Sequence, residues 1–510
     1  MTADAATIEI ALISHTNAGK TTLARTLLGR DVGEVRDAPH VTEVAEAHTL
    51  LRTDAGDRLQ LWDAPGFGDS ARLVRRLRLA DNPIGWLLRE VWDRYRDRPF
   101  WCSQQAVRAA RDHSDVMLYL VNAAEDPHDA GYIAFEAQIL HWVAKPVVVL
   151  LNQMGPPRPV GEETAEAQRW RTHLTSLGVN CEVLTLDAFA RCWVQEGVLF
   201  EAIGRRLPDS KRAAHARLVA NWTERNIARF NHAMAALAEH LAQAACDHEP
   251  VAVAPAPSVL QRLLQSTGIK REERDANREQ AMRTLAERLD ARIRGATDRL
   301  IDLHGLEGNA AQAVLDRMRA NFAVQERVDE TRSALLGSVI MGALTGLKAD
   351  LAAGGLTFGA GMLVGGVIGG LTGAGVARGM NRLARADMPE MRWSAEFLNG
   401  LARSSALRYL AVAHFGRGRG RYVEGEAPPF WRTEVERCFA EQAEQFRRLW
   451  DATLNSSVSA ELTGDLQVAI TAVSVDVLQR LYPSSMPLEL RSTRRPPSMG
   501  IALAIGDAGE

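Results

Sequence analysis

Ser14-His15-Thr16-Asn17-Ala18-Gly19-Lys20-Thr21 follows a short apolar run, Ile8–Ile13, and opens a helical pattern that continues from Thr22 to Leu28. A strand, a loop ending in G-K-T and then a helix is the arrangement in which successive backbone N–H groups and a helix N-terminus surround phosphate oxygens. Gly19 lets the main chain approach closely, Lys20 reaches the β/γ oxygens, and the Thr21 hydroxyl can ligate Mg2+; Ser14, Asn17, Ala18 and Thr22 complete the cradle. Ser14 stands where the G-x-x-x-x-G-K-[ST] pattern has its first glycine, so a positive φ there would carry strain.

About forty residues downstream, Trp62-Asp63-Ala64-Pro65-Gly66 closes a second apolar run, Leu59–Trp62. An aspartate at the C-terminal end of a strand beside a phosphate loop can hold the Mg2+ shell, and Gly66 can offer its N–H to a γ-phosphate. Alone, D-x-x-G is a turn before proline; at this distance from G-K-T it reads as the other half of one site.

Further short apolar runs lie at Val116–Val121, Val147–Leu151 and Cys181–Leu186, with helical patterns at Gly131–Val143 and Glu162–Leu177 between them. Such alternation predicts an α/β fold with a mostly parallel sheet covered on both faces, a P-loop NTPase domain over 1–207. After Leu207 the β signal fades into long helical periodicity: Ala213–Ala245, then an Ala/Pro/Val linker at His248–Pro257, then an Arg/Glu/Ala-rich stretch to Glu330. The expected divisions are a helical domain over 208–334, a glycine-rich apolar hairpin over 335–379, a C-terminal helical part over 380–490 (Met391–Val412, Trp431–Thr453, Asp465–Leu481) and a loose tail over 491–510.

The chain of 510 residues has 60 Lys+Arg against 63 Asp+Glu, a net charge of −3 that argues against a protein wrapped along nucleic acid. Its 46% hydrophobic and 24% charged residues exclude general disorder. The 5 cysteines are scattered, with neither disulfide-framework nor zinc-site spacing, as suits a reducing compartment. Met1 to Thr7 lacks the basic start and apolar core of a signal peptide, so the expected location is cytoplasmic, peripheral or integral at the inner membrane if the hairpin acts there.

With these motifs in place, SHTNAGKT and WDAPG resemble the TrmE–Era-like branch of the translation-factor class of small GTPases, over Ile8 to Leu207. The resemblance implies binding of GTP and GDP with Mg2+, and hydrolysis of GTP as a conformational switch. It implies catalytic roles for Lys20, Thr42 and Gly66, and metal contacts from Thr21, Asp63 and Thr42, the last as the switch-I threonine in Pro39-His40-Val41-Thr42. An asparagine three before the lysine, as Asn17 is, helps hold K+ in potassium-activated members; otherwise it is a turn residue. Phe67 occupies the place where Ras-like proteins carry a water-orienting glutamine, which points to slow intrinsic hydrolysis or a partner that positions water.

The base-recognition motif departs from N-K-x-D: Asn152-Gln153-Met154-Gly155 keeps the asparagine and lacks the aspartate. Losing charge-assisted bonds to guanine N1 and N2 should remove several kcal/mol of guanine preference. Asp187, in the region of the family's S-A-K loop, either supplies a carboxylate to the base or caps the next helix. A nucleotide-binding module with negligible turnover, and a protein with relaxed ATP/GTP specificity, therefore remain as alternatives. NQxG, LDAFARCW (186–193) and HFGRGRG (414–420) also resemble a bacterial family in which such a GTPase domain precedes a helical domain of unknown function of the DUF3482 type.

Two segments suggest partners. Between Gly66 and Val116 lies more chain than a minimal G domain needs, with Arg72, Arg75, Arg76 and Arg78 followed by Trp86, Trp92, Tyr95, Phe100 and Trp101. Residues 68–112 either bind a protein partner, a second copy of the chain included, or pack against the helical domain. Between Gly337 and Gly379 fall 14 of the 40 glycines, and only Lys348 and Asp350 are charged between Ser333 and Ala377. Small residues recur every fourth position there, spacing that favours close helix packing in a bilayer, and Leu351–Ala377 is long enough to span roughly 30 Å of hydrocarbon. Residues 335–377 either contact a membrane or form a buried soluble pair. Gly416–Arg421, alternating glycine and arginine, reads as a solvated turn.

Overall fold

The computed structural model describes residues 5–16, 18–28, 46–78, 98–154, 158–186, 192–250, 269–306, 367–368, 390–414, 429–453, 457–483, 487 and 490. The expected α/β domain is present. β1 (Thr7–Ser14) lies mid-sheet, parallel to β3 (Arg58–Asp63) on one side and to β4 (Val116–Asn122) on the other. β5 (Val147–Asn152) and β6 (Glu182–Thr185) continue the parallel sheet beyond β4, and β2 (Glu46–Arg52) closes the opposite edge antiparallel to β3. The order β2-β3-β1-β4-β5-β6 reverses direction at β1, so a crevice opens at the carboxyl ends of β1 and β3, the place where open α/β sheets bind ligands. The register Leu12↔Asp63 brings the phosphate loop and the aspartate to that same edge.

Near-continuous apolar runs mark strands buried on both faces, and β4 and β5 are of this kind. The helices covering them are α1 (Lys20–Leu28), α2 (Ser70–Arg78), α3 (Arg98–Asp112), α4 (Ile133–Val143), α5 (Val160–Ser176) and α6 (Trp193–Arg206). Ile13, Tyr119 and Val149 on one sheet face join Leu73, Phe100, Ile133 and Trp170 in one core. On the other face Ile10, Leu61, Leu118 and Leu150 join Phe200 of α6 and then, without a break, Leu218, Trp222 and Phe230 of α7 (Asp209–Ala245) and Leu478 far along the chain. The helical part is thus built onto one face of the sheet.

α7 packs against α8 (Ile269–Leu303), α9 (Ala395–Ala413) and α12 (Ala460–Leu481). Ser394 and Ser459 start α9 and α12 by accepting from Phe397 N at 3.2 Å and Leu462 N at 3.1 Å, the usual answer to orphan N–H groups at a helix start. Two ion pairs tie α7 to the sheet domain. Arg217 grips Asp57, in the turn between β2 and β3, at 2.8 Å through both nitrogens, and Lys211 meets Asp115, just before β4, at 2.7 Å.

Several details differ from expectation. β2 has no counterpart in the predicted strands, because Glu46-Ala-His-Thr-Leu-Leu-Arg52 is a partly polar edge with no continuous apolar run. The expected linker begins instead as a strand, β7 (His248–Pro250), paired with β9 (Glu390–Trp393), so helix α9 starts at Ala395 rather than Met391. Trp431–Thr453 divides at Gln442 into α10 (Pro429–Glu441) and α11 (Ala443–Thr453). Most of 335–377 lies outside the described residues, but Val367 and Ile368 form a short strand, β8, against β9. At those two positions the expected helical hairpin gives way to extended chain. Among the described residues, no helix is long and apolar enough to cross a membrane.

Candidate functional site

β1 delivers the chain to the crevice and α1 carries it away, with the phosphate loop between them. Ser14, the last residue of β1, is buried and is not among the residues with positive φ, so the anticipated strain at this serine is absent; its hydroxyl donates to His15 O at 2.7 Å. Gly19 does require glycine. Its φ is +85°, and a Cβ there would lie 2.5 Å from Asn152 Nδ2. That amide, wholly buried at the end of β5, donates to Ala18 O at 2.8 Å. Asn152 therefore fastens the strand of the base-recognition motif to the back of the loop, and Gln153 beside it also adopts a positive φ of 58°.

Lys20 and Thr21 open α1 and turn onto the end of β3. Lys20 Nζ is 3.2 Å from Asp63 Oδ1, and Thr21 Oγ1 donates to Asp63 Oδ2 at 3.2 Å. Both Lys20 and Asp63 are buried, and Asp63 Oδ1 accepts no hydrogen bond despite the lysine's proximity. A buried carboxylate oxygen with bonding capacity to spare, next to a hydroxyl, is a hard oxygen pair of the kind Mg2+ takes, and these residues fit that ion. Thr22, the next residue of α1, is buried and its carbonyl accepts from Thr26 Oγ1 at 2.9 Å.

Gly66 lies against the loop: a Cβ there would be 3.1 Å from Thr16 Cα and 3.3 Å from Thr16 N. The two segments are stitched together. Phe67 N donates to Ser14 O at 2.8 Å, while Thr16 donates to Phe67 O from its amide at 3.3 Å and its hydroxyl at 2.9 Å. Phe67 itself is fully buried in the core with Leu73 and Phe100, so its side chain packs the core and does not face a water in the crevice. Ser103 of α3 accepts from Gly68 N at 3.0 Å, and Asp69 Oδ1 accepts from Arg72 N at 2.9 Å to start α2.

Ser14, Ala18, Gly19, Lys20, Thr21, Thr22, Asp63, Gly66 and Asn152 are thus gathered at the carboxyl ends of β1, β3 and β5. Asn17, Thr42, Gly155 and Asp187 lie outside the described residues, as do Trp86, Trp92 and Tyr95. Of the arginines in the insertion, Arg72, Arg75 and Arg78 are exposed on α2. Arg72 lies over the Phe100 ring at 5.2 Å, and Arg78 donates twice to Gln138 of α4, at 3.1 and 2.8 Å.

Sequence reasoning passed over a buried polar cluster beneath the loop. His15 Nδ1 is 2.7 Å from Glu136 Oε1, and Tyr119 OH donates to Glu136 Oε2 at 2.6 Å. The His15 ring also stacks on Tyr132, with centroids 4.0 Å apart. Burial raises the Glu136 carboxyl above its ordinary range against the pull of its His15 and Tyr119 bonds, and drives the Tyr119 phenol far upward. The signal available in the sequence was a lone glutamate within the apolar helix Ile133-Ala-Phe-Glu136-Ala-Gln-Ile-Leu-His-Trp-Val143.

Two family models match the chain. One described as "50S ribosome-binding GTPase" matches residues 9–153, and one described as "Domain of unknown function (DUF3482)" matches residues 171–468. No curated protein matches. Among solved structures, a Tyr-to-Ala variant of Era from Aquifex aeolicus bound to GDP and AlF4− is 17% identical, with a TM-score of 0.27, covering 40% of this chain and 57% of that one. Era in complex with MgGDPNP and a segment of 16S ribosomal RNA is 15% identical, with a TM-score of 0.29, covering 40% and 58%. A bacterial selenocysteine-specific elongation factor is 15% identical, with a TM-score of 0.24, covering 39% and 29%. The chain spans 57% and 58% of the length of the two Era chains.

Proposed function

From a chain that belongs to the DUF3482 family and carries a P-loop GTPase domain ahead of that region, we propose that it binds GTP with Mg2+ and hydrolyses it to GDP as a conformational switch. The observation that carries this reading is the convergence of Lys20 and Thr21 on Asp63, each at 3.2 Å, at the carboxyl edge of β1 and β3.

Backbone amides of the loop and the start of α1 hold the phosphates, and the Lys20 ammonium stabilises charge on the β/γ oxygens. Thr21 and Asp63, with Thr42 as a third group, would hold Mg2+, which supplies further neutralisation of that charge. Gly66 offers its amide to the γ-phosphate, and the stitching of Phe67 to Ser14 and Thr16 sets where that amide stands. Water attacks in line. Asn17 is the residue proposed to hold K+, and Asp187 the one proposed to face the base.

The test is single-turnover hydrolysis with labelled GTP, with and without K+, beside Lys20→Ala. Phosphate release that depends on Lys20 is expected; binding with no release under any condition would reduce the protein to a nucleotide-binding module. The burial of Phe67 favours that second reading to the extent that turnover without a partner is expected to be slow. Competition of ATP against GTP decides base preference, and equal binding would remove the guanine assignment.

Membrane contact through 335–377 is part of the proposal, supported by the charge-poor, glycine-rich composition of that segment. Flotation with vesicles of the full chain and of a variant lacking 335–377, each with GDP and with a non-hydrolysable triphosphate, tests it. Both staying in the soluble fraction in both states removes the membrane from the account.

A further inference from the structure

His15 lies inside the phosphate loop, yet its side chain turns away from the route taken by Lys20 and Thr21. It is clamped on two sides: Nδ1 is hydrogen-bonded to Glu136 Oε1 at 2.7 Å and the ring stacks on Tyr132 at 4.0 Å. Glu136 is wholly buried and held from its other oxygen by Tyr119, itself fully buried in β4. Tyr132 is fixed in turn by its hydroxyl, which donates to Glu125 at 2.9 Å, while Glu125 also takes Asn122 Nδ2 at 3.0 Å. A buried carboxylate with this many partners is a rigid anchor, because moving it without them leaves an uncompensated polar group.

The clamp bears on one half of the loop. His15 is the residue that bridges Phe67, and its neighbours Ser14 and Thr16 exchange hydrogen bonds with Phe67 on either side. Gly66, whose amide is assigned to the γ-phosphate, precedes Phe67 directly and rests on Thr16. The other half of the loop, Gly19 to Thr21 and the start of α1, is tied separately through Asn152 and Asp63.

We propose that His15, anchored by Glu136 and Tyr132, is a positioning residue for the γ-phosphate: it holds the Ser14–Thr16 main chain, and with it the Gly66 amide, so that the site tells triphosphate from diphosphate. This rests on the GTPase reading above. It assigns to His15 no contact with nucleotide; the effect passes through the backbone bridge to Phe67.

The experiment measures affinity for GDP and for a non-hydrolysable GTP analogue in the full-length chain and in His15→Ala, His15→Asn and His15→Gln, with thermal unfolding of each without nucleotide as the control for folding. Asparagine places an amide nitrogen where Nδ1 stands and keeps the donor to Glu136; glutamine places it one bond further out. His15→Ala should lower the triphosphate-to-diphosphate affinity ratio by about tenfold, the size of one lost bond to a charged acceptor, with GDP affinity nearly unchanged. His15→Asn should restore most of the ratio and His15→Gln should not. Equal weakening toward both nucleotides, an unchanged ratio in His15→Ala, or an asparagine variant no better than alanine would overturn the assignment. Absence of any nucleotide binding by the unsubstituted chain would overturn the GTPase reading and this inference with it.

Discussion

At the scale of single residues, the site divides into groups whose identity follows from local rules and groups whose role needs distant contacts. Gly19, Lys20, Thr21, Asp63 and Gly66 were legible because each sits at a fixed spacing from a strand end, where backbone geometry leaves few choices. His15 and Glu136 were not, since they are 121 residues apart and only the fold joins them. Ser103, which accepts the Gly68 amide from 35 residues away, was invisible for the same reason. Two substitutions test the local group. Gly19→Ala forces a positive φ on a side chain, a cost of roughly 1–2 kcal/mol. It also drives a methyl to 2.5 Å from the Asn152 amide, so that the bond to Ala18 must shift. A loss of nucleotide affinity of at least about tenfold is expected by calorimetry, together with a lower unfolding temperature. Lys20→Ala should cost more in affinity, about a hundredfold toward triphosphate, because it removes a desolvated charge rather than bending a loop. It should also lower stability without nucleotide, since the buried Asp63 carboxylate loses its cation and keeps the Thr21 bond. Full affinity retained in the lysine variant would remove the phosphate assignment altogether.

At the scale of elements, the parallel strands and their crossover helices were readable because a strand buried on both faces must be apolar throughout. The antiparallel edge β2 and the small sheet of β7, β8 and β9 were not, because such strands mix polar and apolar residues and are defined by their partners. The turn joining β2 to β3 shows what that hidden edge does. Asp57 is buried there, accepting from Ala6 N at 3.2 Å and Thr53 Oγ1 at 3.1 Å as well as from Arg217 of the long helix α7. The Arg217 bonds hold its carboxyl down at about 2, against burial, which pushes it up. Unfolded, an aspartate titrates near about 3.9, so the stabilisation from this pair is fully present above that value and is lost as pH falls toward about 2. Arg217→Ala leaves the buried carboxylate without its guanidinium. The stability gap between wild type and variant should therefore be widest at neutral pH and narrow below about pH 4. Urea unfolding of both proteins from pH 7 down to pH 3 measures this, and a gap that stays constant over the range would mean the pair contributes nothing through its charge.

At the scale of the whole molecule, the buried core does not stop at the end of the GTPase sheet. Ile10, Leu61 and Leu118 on one face of the sheet belong to the same buried cluster as Leu218, Trp222 and Phe230 of α7 and as Ile470 and Leu478 of α12. Trp222 is one member of that cluster. It meets Phe200 edge-on at 4.9 Å and Trp193 at 6.1 Å. Elements that share a core unfold together, because separating them exposes apolar surface on both. The GTPase domain and the helical region should accordingly melt in one transition. A nucleotide held at about a hundred times its dissociation constant should raise that single transition by the equivalent of about 2.7 kcal/mol. Trp222→Ala should lower it by about 3–5 kcal/mol, the usual cost of deleting a buried tryptophan. It should do so for the helical signal in circular dichroism and for nucleotide release alike. Scanning calorimetry with and without GDP distinguishes this from a chain of independent parts. Two transitions, with nucleotide moving only one and Trp222→Ala only the other, would show that neither the shared core nor the Arg217–Asp57 and Lys211–Asp115 pairs couple them.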